Sequence, residues 1–293
     1  MRFDLAELDD LTITVVVENS AVSGTQGQWG LSMLVTARHE TNVQRILMDV
    51  GPDASALSQN MKVLGADPQS ISMVVLSHCH GDHTGALATV LREIGKKDVP
   101  VVAHPSLFRL AFYTRPRLAY SGMRDSHTEI ETSGGRLFLS SQPLELMPGL
   151  YTSGAVERTT DFEAWERPVW TLEDGQVARD TAPDDQCVIA DVKGKGLVIL
   201  TGCSHSGIVN ICRHVRKVTG VDRIEGIIGG FHLMDAKPDR IVKTIEALRK
   251  FGPNTIWSGH CTGFDAEVAL RNAFGEKYKH MSIGVVYNVK AQE

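Results

Sequence analysis

The stretch Met73–His83 reads MVVLSHCHGDH and holds the residues that decide the fold. Its first four residues are apolar, as in a buried strand. The six residues His78–His83 then carry three imidazoles and one carboxylate. For a single histidine, a place on the surface near a helix that Asp82 caps would be the ordinary interpretation. Three histidines and an acid directly after a buried strand favour a metal site instead.

The spacing within this run predicts two metal ions. Alternate residues at a strand end point the same way, so His78 and His80 are expected to share one ion. Asp82 and His83 lie at the turn into a helix and are expected to reach a second ion close by. Imidazole and carboxylate ligands suit zinc, iron(II), manganese or nickel. Two ions about 3.5–4 Å apart would clamp an oxyanion and generate hydroxide near neutral pH.

Three further loops place a histidine after a predicted strand. Open α/β sheets have their sites at the carboxyl ends of strands, so these loops are expected to meet the histidine-rich run. Each histidine alone would more often be a core or surface residue, but the four loops together favour a common site. The candidates are Cys203 and His205 in LTGCSHSG, His232 in GGFH, and His260 in SGHC.

The composition excludes several classes of protein. The chain has 293 residues, of which 42% are hydrophobic and 22% are charged. Its net charge is −5 and it has no basic block, so nucleic acid is not an expected partner. The acidic N-terminus does not resemble a signal peptide, and no apolar run is long enough to span a membrane, so the expected location is the cytoplasm. Five cysteines without a CxxC pair indicate neither a disulfide framework nor a zinc finger.

Alternating strand and helix patterns predict an α/β sandwich with helices outside two packed sheets. Residues 104–148 are less regular, and this segment is interpreted as an excursion from the core that shapes a substrate site. The predicted helices are residues 54–64, 85–94, 207–219 and 238–251. The predicted strands are residues 12–17, 32–36, 45–49, 73–76, 100–103, 187–192, 196–200, 224–228 and 255–257.

The run LSHCHGDHTG, residues 76–85, resembles the His-x-His-x-Asp-His signature of the metallo-β-lactamase superfamily. The blocks TGCSHSGIVN, GGFHL and GHCTG extend the resemblance over nearly the whole chain, to a subfamily of metal-dependent hydrolases related to dihydropterin-ribofuranosylaminobenzene-phosphate synthases. The resemblance implies one four-layered αββα domain over residues 1–293, with a binuclear site at one edge.

The resemblance also implies how the ligands divide. His78, His80 and His205 are expected at the first metal, and Asp82, His83 and His260 at the second. Many relatives have a bridging aspartate where this chain has Cys203, so Cys203 is either a ligand or a buried bystander. Cys79 is expected to face the packed interior. Many relatives have another ligand histidine where this chain has Asp184 and Asp185, which are expected to bind metal or to orient His205.

The substrate side is less defined. Asp82 is a catalytic candidate, and His232 is expected either to donate a proton or hold a phosphate oxygen, or to be a structural histidine. Asp49 is expected to stabilise the histidine-rich loop by hydrogen bonds. Arg158 is the preferred substrate-binding cation, since it matches a family turn near the site mouth. If the substrate is anionic, further cations to hold it would come from the irregular segment, although the ordinary interpretation of such arginines is a solvated surface. These residues are His104, Arg115, Arg117, Arg124 and His127.

These features predict an enzyme with two divalent ions, zinc first, with iron or manganese as alternatives. The expected function is hydrolysis of an ester, lactone or phosphate-type bond in a small molecule. The alternatives are a synthase-like transferase that releases pyrophosphate and a non-catalytic metal-bearing effector. Redox relatives with a di-iron centre have Glu in place of His80, which disfavours oxygen reduction. The expected partner is a small-molecule substrate, anionic or pterin-like, and a homo-oligomer is compatible with the sequence.

Overall fold

The computed structural model describes residues 6–114, 116–164 and 168–292. Two seven-stranded sheets pack face to face, and helices cover the outer face of each sheet. The predicted four-layered αββα sandwich is therefore confirmed. Among the described residues, no helix has the length and apolar character needed to cross a bilayer.

The strands of the described residues are β1 (Asp10–Val17), β2 (Ser32–His39), β3 (Asn42–Met48), β4 (Met73–Val75), β5 (Val99–Ala103), β6 (Phe112–Tyr113), β7 (Ala119–Tyr120), β8 (Gly135–Leu139), β9 (Leu144–Met147), β10 (Leu150–Thr152), β11 (Val169–Glu173), β12 (Gln176–Arg179), β13 (Cys187–Val192), β14 (Gly196–Thr201), β15 (Ile224–Gly230), β16 (Thr255–Gly259), β17 (Tyr278–His280) and β18 (Val286–Lys290).

The helices are α1 (Ala54–Val63), α2 (Gly81–Thr84), α3 (Leu87–Ile94), α4 (His127–Thr132), α5 (Ile208–Thr219), α6 (Pro238–Phe251) and α7 (Phe264–Phe274). Short 3₁₀ turns occupy Pro68–Ser70, Pro105–Phe108, His260–Thr262 and Gly275–Lys277.

The first sheet has the order β18-β1-β2-β3-β4-β5-β8 and the second β17-β16-β15-β14-β13-β10-β9. Strands β3, β4, β5 and β8 run parallel, as do β14, β15, β16 and β17. The central core lies between the sheets, where Met33 and Val35 of β2 belong to one apolar cluster with Val198 and Leu200 of β14. Parallel neighbours place their carboxyl ends at one edge, so the loops after β4, β14, β15 and β16 approach one another.

The segment predicted as an excursion contributes more to the core than expected. Within residues 104–148, Gly135–Leu139 pairs in parallel with β5, and Leu144–Met147 pairs with β10, so two of its strands are edge strands of the main sheets. An edge strand pairs on one side only and lies at the margin of the core, so it buries less apolar surface and its hydrophobic pattern is weaker. Strands β6 and β7 form a small third sheet with β11 and β12, which the sequence interpretation missed.

The helix predicted to begin at residue 85 instead starts at Gly81 and is interrupted before α3. A Cβ on Gly85 would lie 2.4 Å from the carbonyl oxygen of Pro52 and 2.6 Å from that of Gly81. Glycine therefore allows the backbone after β3 to pack against the turn that carries Asp82 and His83. This close approach brings the end of β3 to the histidine-rich run.

Candidate metal centre

The loop after β4 is held by hydrogen bonds from both of its sides. The backbone N–H of Ser77 donates to Oδ1 of Asp49 at 2.7 Å, and the Ser77 hydroxyl donates to Oδ2 of the same carboxylate at 2.7 Å. The backbone N–H of Cys79 donates to Oδ2 of Asp184 at 2.7 Å. The Cys79 side chain is buried in the apolar core under the helices of the first sheet, as expected. With Cys79 anchored in this way, His78 and His80 come together on the opposite side of the loop.

A first group, the three-histidine cluster, consists of His78, His80 and His205. Nε2 of His205 lies 3.2 Å from Nε2 of His78 and 3.1 Å from Nδ1 of His80. All three residues are buried. His205 comes from the loop after β14, so the two sheets contribute jointly to this cluster.

A second group, the mixed cluster, consists of Asp82, His83, Cys203 and His260. Nε2 of His83 lies 3.1 Å from Sγ of Cys203 and 3.2 Å from Nε2 of His260. Oδ2 of Asp82 lies 3.8 Å from the same His83 nitrogen and 3.5 Å from that of His260. This set offers two nitrogens, one carboxylate oxygen and one sulfur.

Cys203 connects the two clusters. Besides belonging to the mixed cluster, its sulfur forms a third potential metal-binding group with His205 and His232. The rings of His78 and His83 also lie close, with centroids 4.2 Å apart. The two clusters are therefore immediate neighbours, with the Cys203 thiol between them.

The spacing of the donor atoms fits metal ions. Ligands about 2.0–2.1 Å from a tetrahedral ion lie about 3.3–3.4 Å from one another, close to the nitrogen separations in the three-histidine cluster. In the mixed cluster, nitrogen, carboxylate and thiolate ligands are an ordinary set for zinc. The donor chemistry therefore fits one ion in each cluster.

The outward ring nitrogens of His78, His83 and His260 have hydrogen-bond partners. Nδ1 of His83 contacts Oδ2 of Asp49 at 2.7 Å, and Nδ1 of His78 contacts the Ser77 hydroxyl at 2.8 Å. Nδ1 of His260 contacts Oδ1 of Asn19 at 3.2 Å. Such contacts fix the ring orientation of metal-binding histidines. The expected role of Asp49 in stabilising the histidine-rich loop is confirmed.

Comparison with known proteins agrees with this geometry. Residues 44–137 match the family model described as a beta-lactamase superfamily domain. The chain is 38% identical over 293 residues to the 7,8-dihydropterin-6-methyl-4-(beta-D-ribofuranosyl)-aminobenzene-5'-phosphate synthase of Methanocaldococcus jannaschii, covering 98% of this chain and 99% of that protein. The chain belongs to the metallo-β-lactamase superfamily.

Two further relatives extend this comparison. An uncharacterised protein of Methanocaldococcus jannaschii is 31% identical over 271 residues, covering 92% of this chain and 97% of its own. The crystal structure of a metal-dependent hydrolase of the beta-lactamase superfamily superposes with a TM-score of 0.80 at 25% identity, covering 96% of this chain and 99% of its own. The resemblance proposed from the sequence is therefore confirmed over nearly the whole length.

The electrostatics of this metallo-β-lactamase site favour neutral histidines in the first cluster. Burial lowers the pKa of His80 to about 4, and it also lowers the pKa values of His78 and His205 well below their ordinary range. Neutral imidazoles are the form that binds metal. The three-histidine cluster is therefore ready to bind a cation near neutral pH.

The mixed cluster instead attracts positive charge. Burial lowers the pKa of His83, but Asp49 and Asp82 beside it outweigh burial and raise this pKa to about 9. Burial alone would raise the pKa of Asp82. The neighbouring His83 and His260 outweigh burial and hold the pKa of Asp82 well below its usual range. A proton on His83 thus lies where the ligand set would place a metal ion, and metal binding is expected to displace it.

The structure does not bring Asp184 or Asp185 into either cluster. Asp184 accepts from Cys79 and forms an ion pair with Arg109. Asp185 accepts from the backbone N–H of Ser206 at 2.8 Å and from the Ser206 hydroxyl. Both aspartates therefore hold loops that carry candidate ligands. Asp185 supports the loop of His205 through Ser206, and neither aspartate belongs to a potential metal-binding group of the described residues.

Of the residues predicted to contact substrate, some lie beside the two clusters and others lie outside them. His232 lies at the centre, with its ring centroid 4.5 Å from that of His205. Arg158 is exposed and donates to the backbone carbonyl oxygens of Thr181 and Ala182, so its contacts are with a loop outside the two clusters. His104 is buried and accepts from the backbone of Ser106. Arg117, Arg124 and His127 are exposed, and Arg115 lies outside the described residues.

Sequence reasoning missed three residues that support the centre. Glu18 accepts from the backbone N–H of His260, and Asn19 contacts its ring. Both follow β1 directly, and a polar pair after a buried strand was the same signal used for the histidines. Arg109 contacts Asp180 at 3.0 Å and also Asp184, and it thereby supports the Cys79 loop. A single arginine in an irregular segment gives no comparable signal.

Proposed function

We propose that this chain is a binuclear metal-dependent hydrolase that acts on an ester, lactone or phosphate-type bond of a small molecule. One observation carries the proposal: the three-histidine cluster and the mixed cluster are adjacent, and Cys203 of the mixed cluster also forms a potential metal-binding group with His205 and His232. The separation of the donor atoms favours a divalent ion in each cluster, and the imidazoles of the three-histidine cluster are already in the neutral form that binds metal. Zinc is the proposed ion, since the ligand set includes a thiol as well as imidazoles and a carboxylate.

Two ions, when bound, would withdraw charge from a substrate oxygen and lower the pKa of a coordinated water. The protein residues supply ligand positions and proton transfer. Asp82 is the least buried member of the mixed cluster, with 24% of its side chain exposed. Its carboxylate is proposed to orient an attacking water and to accept its proton, a role that needs contact with both solvent and the centre.

His232 is proposed to act on the leaving group. It lines a cavity of about 500 Å³ that also contains Lys237, Arg240 and Lys243. These cations are balanced by Asp161, Asp235 and Asp239 in the same lining. The His232 imidazole lies between His205 and this cavity of mixed charge. From there it would donate a proton to the departing oxygen, while the rest of the substrate would extend outward into the cavity.

A synthase-like transferase is the second candidate, favoured by the 38% identity to a dihydropterin synthase over 98% of this chain. In that reaction an arylamine would displace diphosphate from a pterin carrying it. The same residues would hold the ions against the departing diphosphate, and an attacking water would not be needed. Pyrophosphate release that requires both the pterin diphosphate and the arylamine would identify the transferase, whereas release with water alone would identify the hydrolase.

The proposal is tested with His80→Ala, compared with His39→Ala as a control, since His39 is a partly buried histidine on β2 that belongs to neither cluster. Metal content and turnover of zinc-loaded protein would be measured on a panel of esters, lactones and phosphodiesters. His80→Ala is expected to bind fewer ions and to lose at least about a hundredfold in turnover, while His39→Ala matches the natural chain. Unchanged metal content and turnover in His80→Ala would contradict the proposal.

A further inference from the structure

A second cavity, of about 640 Å³, is lined by a serine, a histidine and a glutamate that contact one another and belong to neither metal cluster. The hydroxyl of Ser20 lies 3.0 Å from Nε2 of His280. Nδ1 of the same ring lies 2.5 Å from Oε2 of Glu267. When the carboxylate accepts the N–H of Nδ1, Nε2 of the neutral ring is the acceptor that faces the Ser20 hydroxyl. Serine hydrolases arrange their nucleophile, base and acid in this order.

Three separate elements hold these side chains in place. Ser20 follows β1, and its carbonyl oxygen accepts from the backbone N–H of Ile283 at 3.0 Å. His280 is the last residue of β17. Glu267 lies on α7, and its Oε2 also accepts from the Tyr278 hydroxyl at 3.1 Å. The fold therefore brings together a serine from a loop, a histidine from a strand and a glutamate from a helix.

The exposure of the three residues suits a reaction with a bound molecule. Ser20 is half-buried and 48% of the His280 side chain is exposed, whereas only 16% of the Glu267 side chain is exposed. The nucleophile and the base can therefore be reached from the cavity, and the acid is shielded. Trp29 and Phe264 line the same cavity and are 48% and 80% exposed. Exposed apolar side chains grouped around one cavity favour a ligand with an apolar part.

Arg271 supplies a positive charge at this cavity. It follows Glu267 by four residues on α7, so both lie on one face of the helix, and both line the cavity. The carbonyl oxygen of an ester gains negative charge when a nucleophile attacks the carbonyl carbon, and a cation beside that oxygen stabilises the charge. The lining therefore combines a nucleophile, a base, an acid and a cation.

We infer that this cavity is a second active site, at which Ser20 attacks carboxylic esters of apolar acids. Oγ of Ser20 forms a bond to the carbonyl carbon while Nε2 of His280 accepts the hydroxyl proton. The bond from that carbon to the alcohol oxygen then breaks, and His280 gives the proton to the departing alcohol. Water hydrolyses the acyl-serine by the same route, which releases the acid and restores the hydroxyl. These steps use side chains outside the two metal clusters, so the inference goes beyond the proposed function.

The test is covalent labelling of the zinc-loaded full-length protein with phenylmethylsulfonyl fluoride. One sulfonyl group per chain is expected on Oγ of Ser20, with release of fluoride, and mass spectrometry of peptides would locate it. Ser20→Ala is expected to abolish the label, and His280→Gln to slow labelling at least about a hundredfold. Ser72→Ala is the matched control and is expected to label normally, because Ser72 is also half-buried but its hydroxyl donates to Gln44 instead of a histidine.

Glu267 is a positioning residue, since it acts through His280. The hydrogen bond to Glu267 raises the pKa of His280, partial burial opposes this effect, and the negative charges of Glu267 and Glu18 add to it. The neutral ring is the base, so the labelling rate is expected to rise with pH through this pKa. Glu267→Gln is expected to slow labelling and to move the midpoint of the pH profile to lower pH, which a loss of packing alone would not do.

Absence of a label on the natural chain, or an equal label on Ser20→Ala, would overturn the inference and leave Ser20 and His280 as an ordinary hydrogen-bonded pair. So would an unchanged labelling rate in His280→Gln. Labelling is expected to persist in His80→Ala, and Ser20→Ala is expected to keep the metal-dependent turnover of phosphodiesters. Failure of the metal-dependent hydrolase would therefore leave this second site standing, and failure of labelling would leave the hydrolase standing.

Discussion

Sγ of Cys203 lies 3.1 Å from Nε2 of His83 and also within the group formed with His205 and His232. Burial raises the pKa of the Cys203 thiol well above its ordinary range. A neutral thiol between two metal clusters is a poor ligand, whereas a thiolate is a strong one, so metal binding there is coupled to loss of the thiol proton.

Replacement of Cys203 tests whether its sulfur binds metal. In cobalt-substituted protein, a sulfur-to-cobalt charge-transfer band is expected for the natural chain and is expected to be absent in Cys203→Ala. Cys203→Asp is expected to retain two ions, because a carboxylate replaces the thiolate. Cys212→Ala is the matched control, since Cys212 is buried on α5 away from both clusters. A band that persists in Cys203→Ala would show that the sulfur is a bystander.

Asp49 should control metal affinity without touching metal. Asp49→Asn removes the charge from the acceptor that contacts Nδ1 of His83 at 2.7 Å. Metal affinity is expected to fall about 10- to 100-fold, as for other residues that orient a ligand histidine. Competition with a chelator would measure the affinity. Asp53→Asn, at the exposed N-cap of α1, is the control, and equal affinities in the two variants would refute the role of Asp49.

The absence of a side chain at Gly202 should be required for the two sheets to pack closely at the candidate metal centre. A Cβ at Gly202 would lie 2.1 Å from Oγ of Ser77 and 3.1 Å from Oδ2 of Asp49. Gly202→Ala is expected to cost about 1–3 kcal/mol of unfolding free energy and to weaken metal binding, since Ser77 and Asp49 must move.

The comparison variant is Gly81→Ala, within the histidine-rich run itself. A Cβ at Gly81 would meet nothing closer than 3.6 Å, so this substitution is expected to be tolerated, with metal binding unchanged. Urea denaturation and metal titration of both variants would measure the difference. Similar losses of unfolding free energy and metal affinity in both variants would show that the close packing at Gly202 is not the cause.

Asp191 on β13, which belongs to neither cluster, makes the stability of the fold depend on pH. Burial in the second sheet, together with Glu7, raises the pKa of Asp191 to about 6 from 3.8. The folded state therefore binds more protons than the unfolded state between these values, so the contribution of Asp191 to stability falls as the pH rises through about 6.

Asp191→Asn is expected to raise the unfolding free energy by about 1 kcal/mol at pH 8, after allowance for solvent screening, and by about half as much at pH 5. Urea denaturation at both pH values would measure this difference. The exposed Asp222→Asn is expected to change neither value. If Asp191→Asn increased the unfolding free energy more at pH 5 than at pH 8, the raised pKa of Asp191 would be contradicted.

The sequence alone predicted the local parts of the centre well. The run His78–His83 follows a strand directly, so its geometry depends on a few neighbouring residues. The helix predicted over residues 238–251 agrees with α6, Pro238–Phe251, because a proline start, a helical pattern and a following glycine all indicate the same bounds.

Long-range relationships were less predictable. That His205 joins His78 and His80 depends on two sheets packing face to face, and only the family resemblance indicated that pairing. Glu18 and Arg109 reach the centre from β1 and from an irregular segment, and no local pattern specifies where such side chains meet. The small sheet of β6, β7, β11 and β12 consists of short hairpins whose hydrophobic patterns are weak.

The proposed function requires one metal ion in each cluster. Anomalous scattering at the zinc edge from crystals of the zinc-loaded protein tests it directly. Two peaks per chain are expected, one at the three-histidine cluster and one at the mixed cluster, and His205→Ala should remove only the first. A single peak, or two peaks that both survive in His205→Ala, would contradict the proposed pair of metal sites.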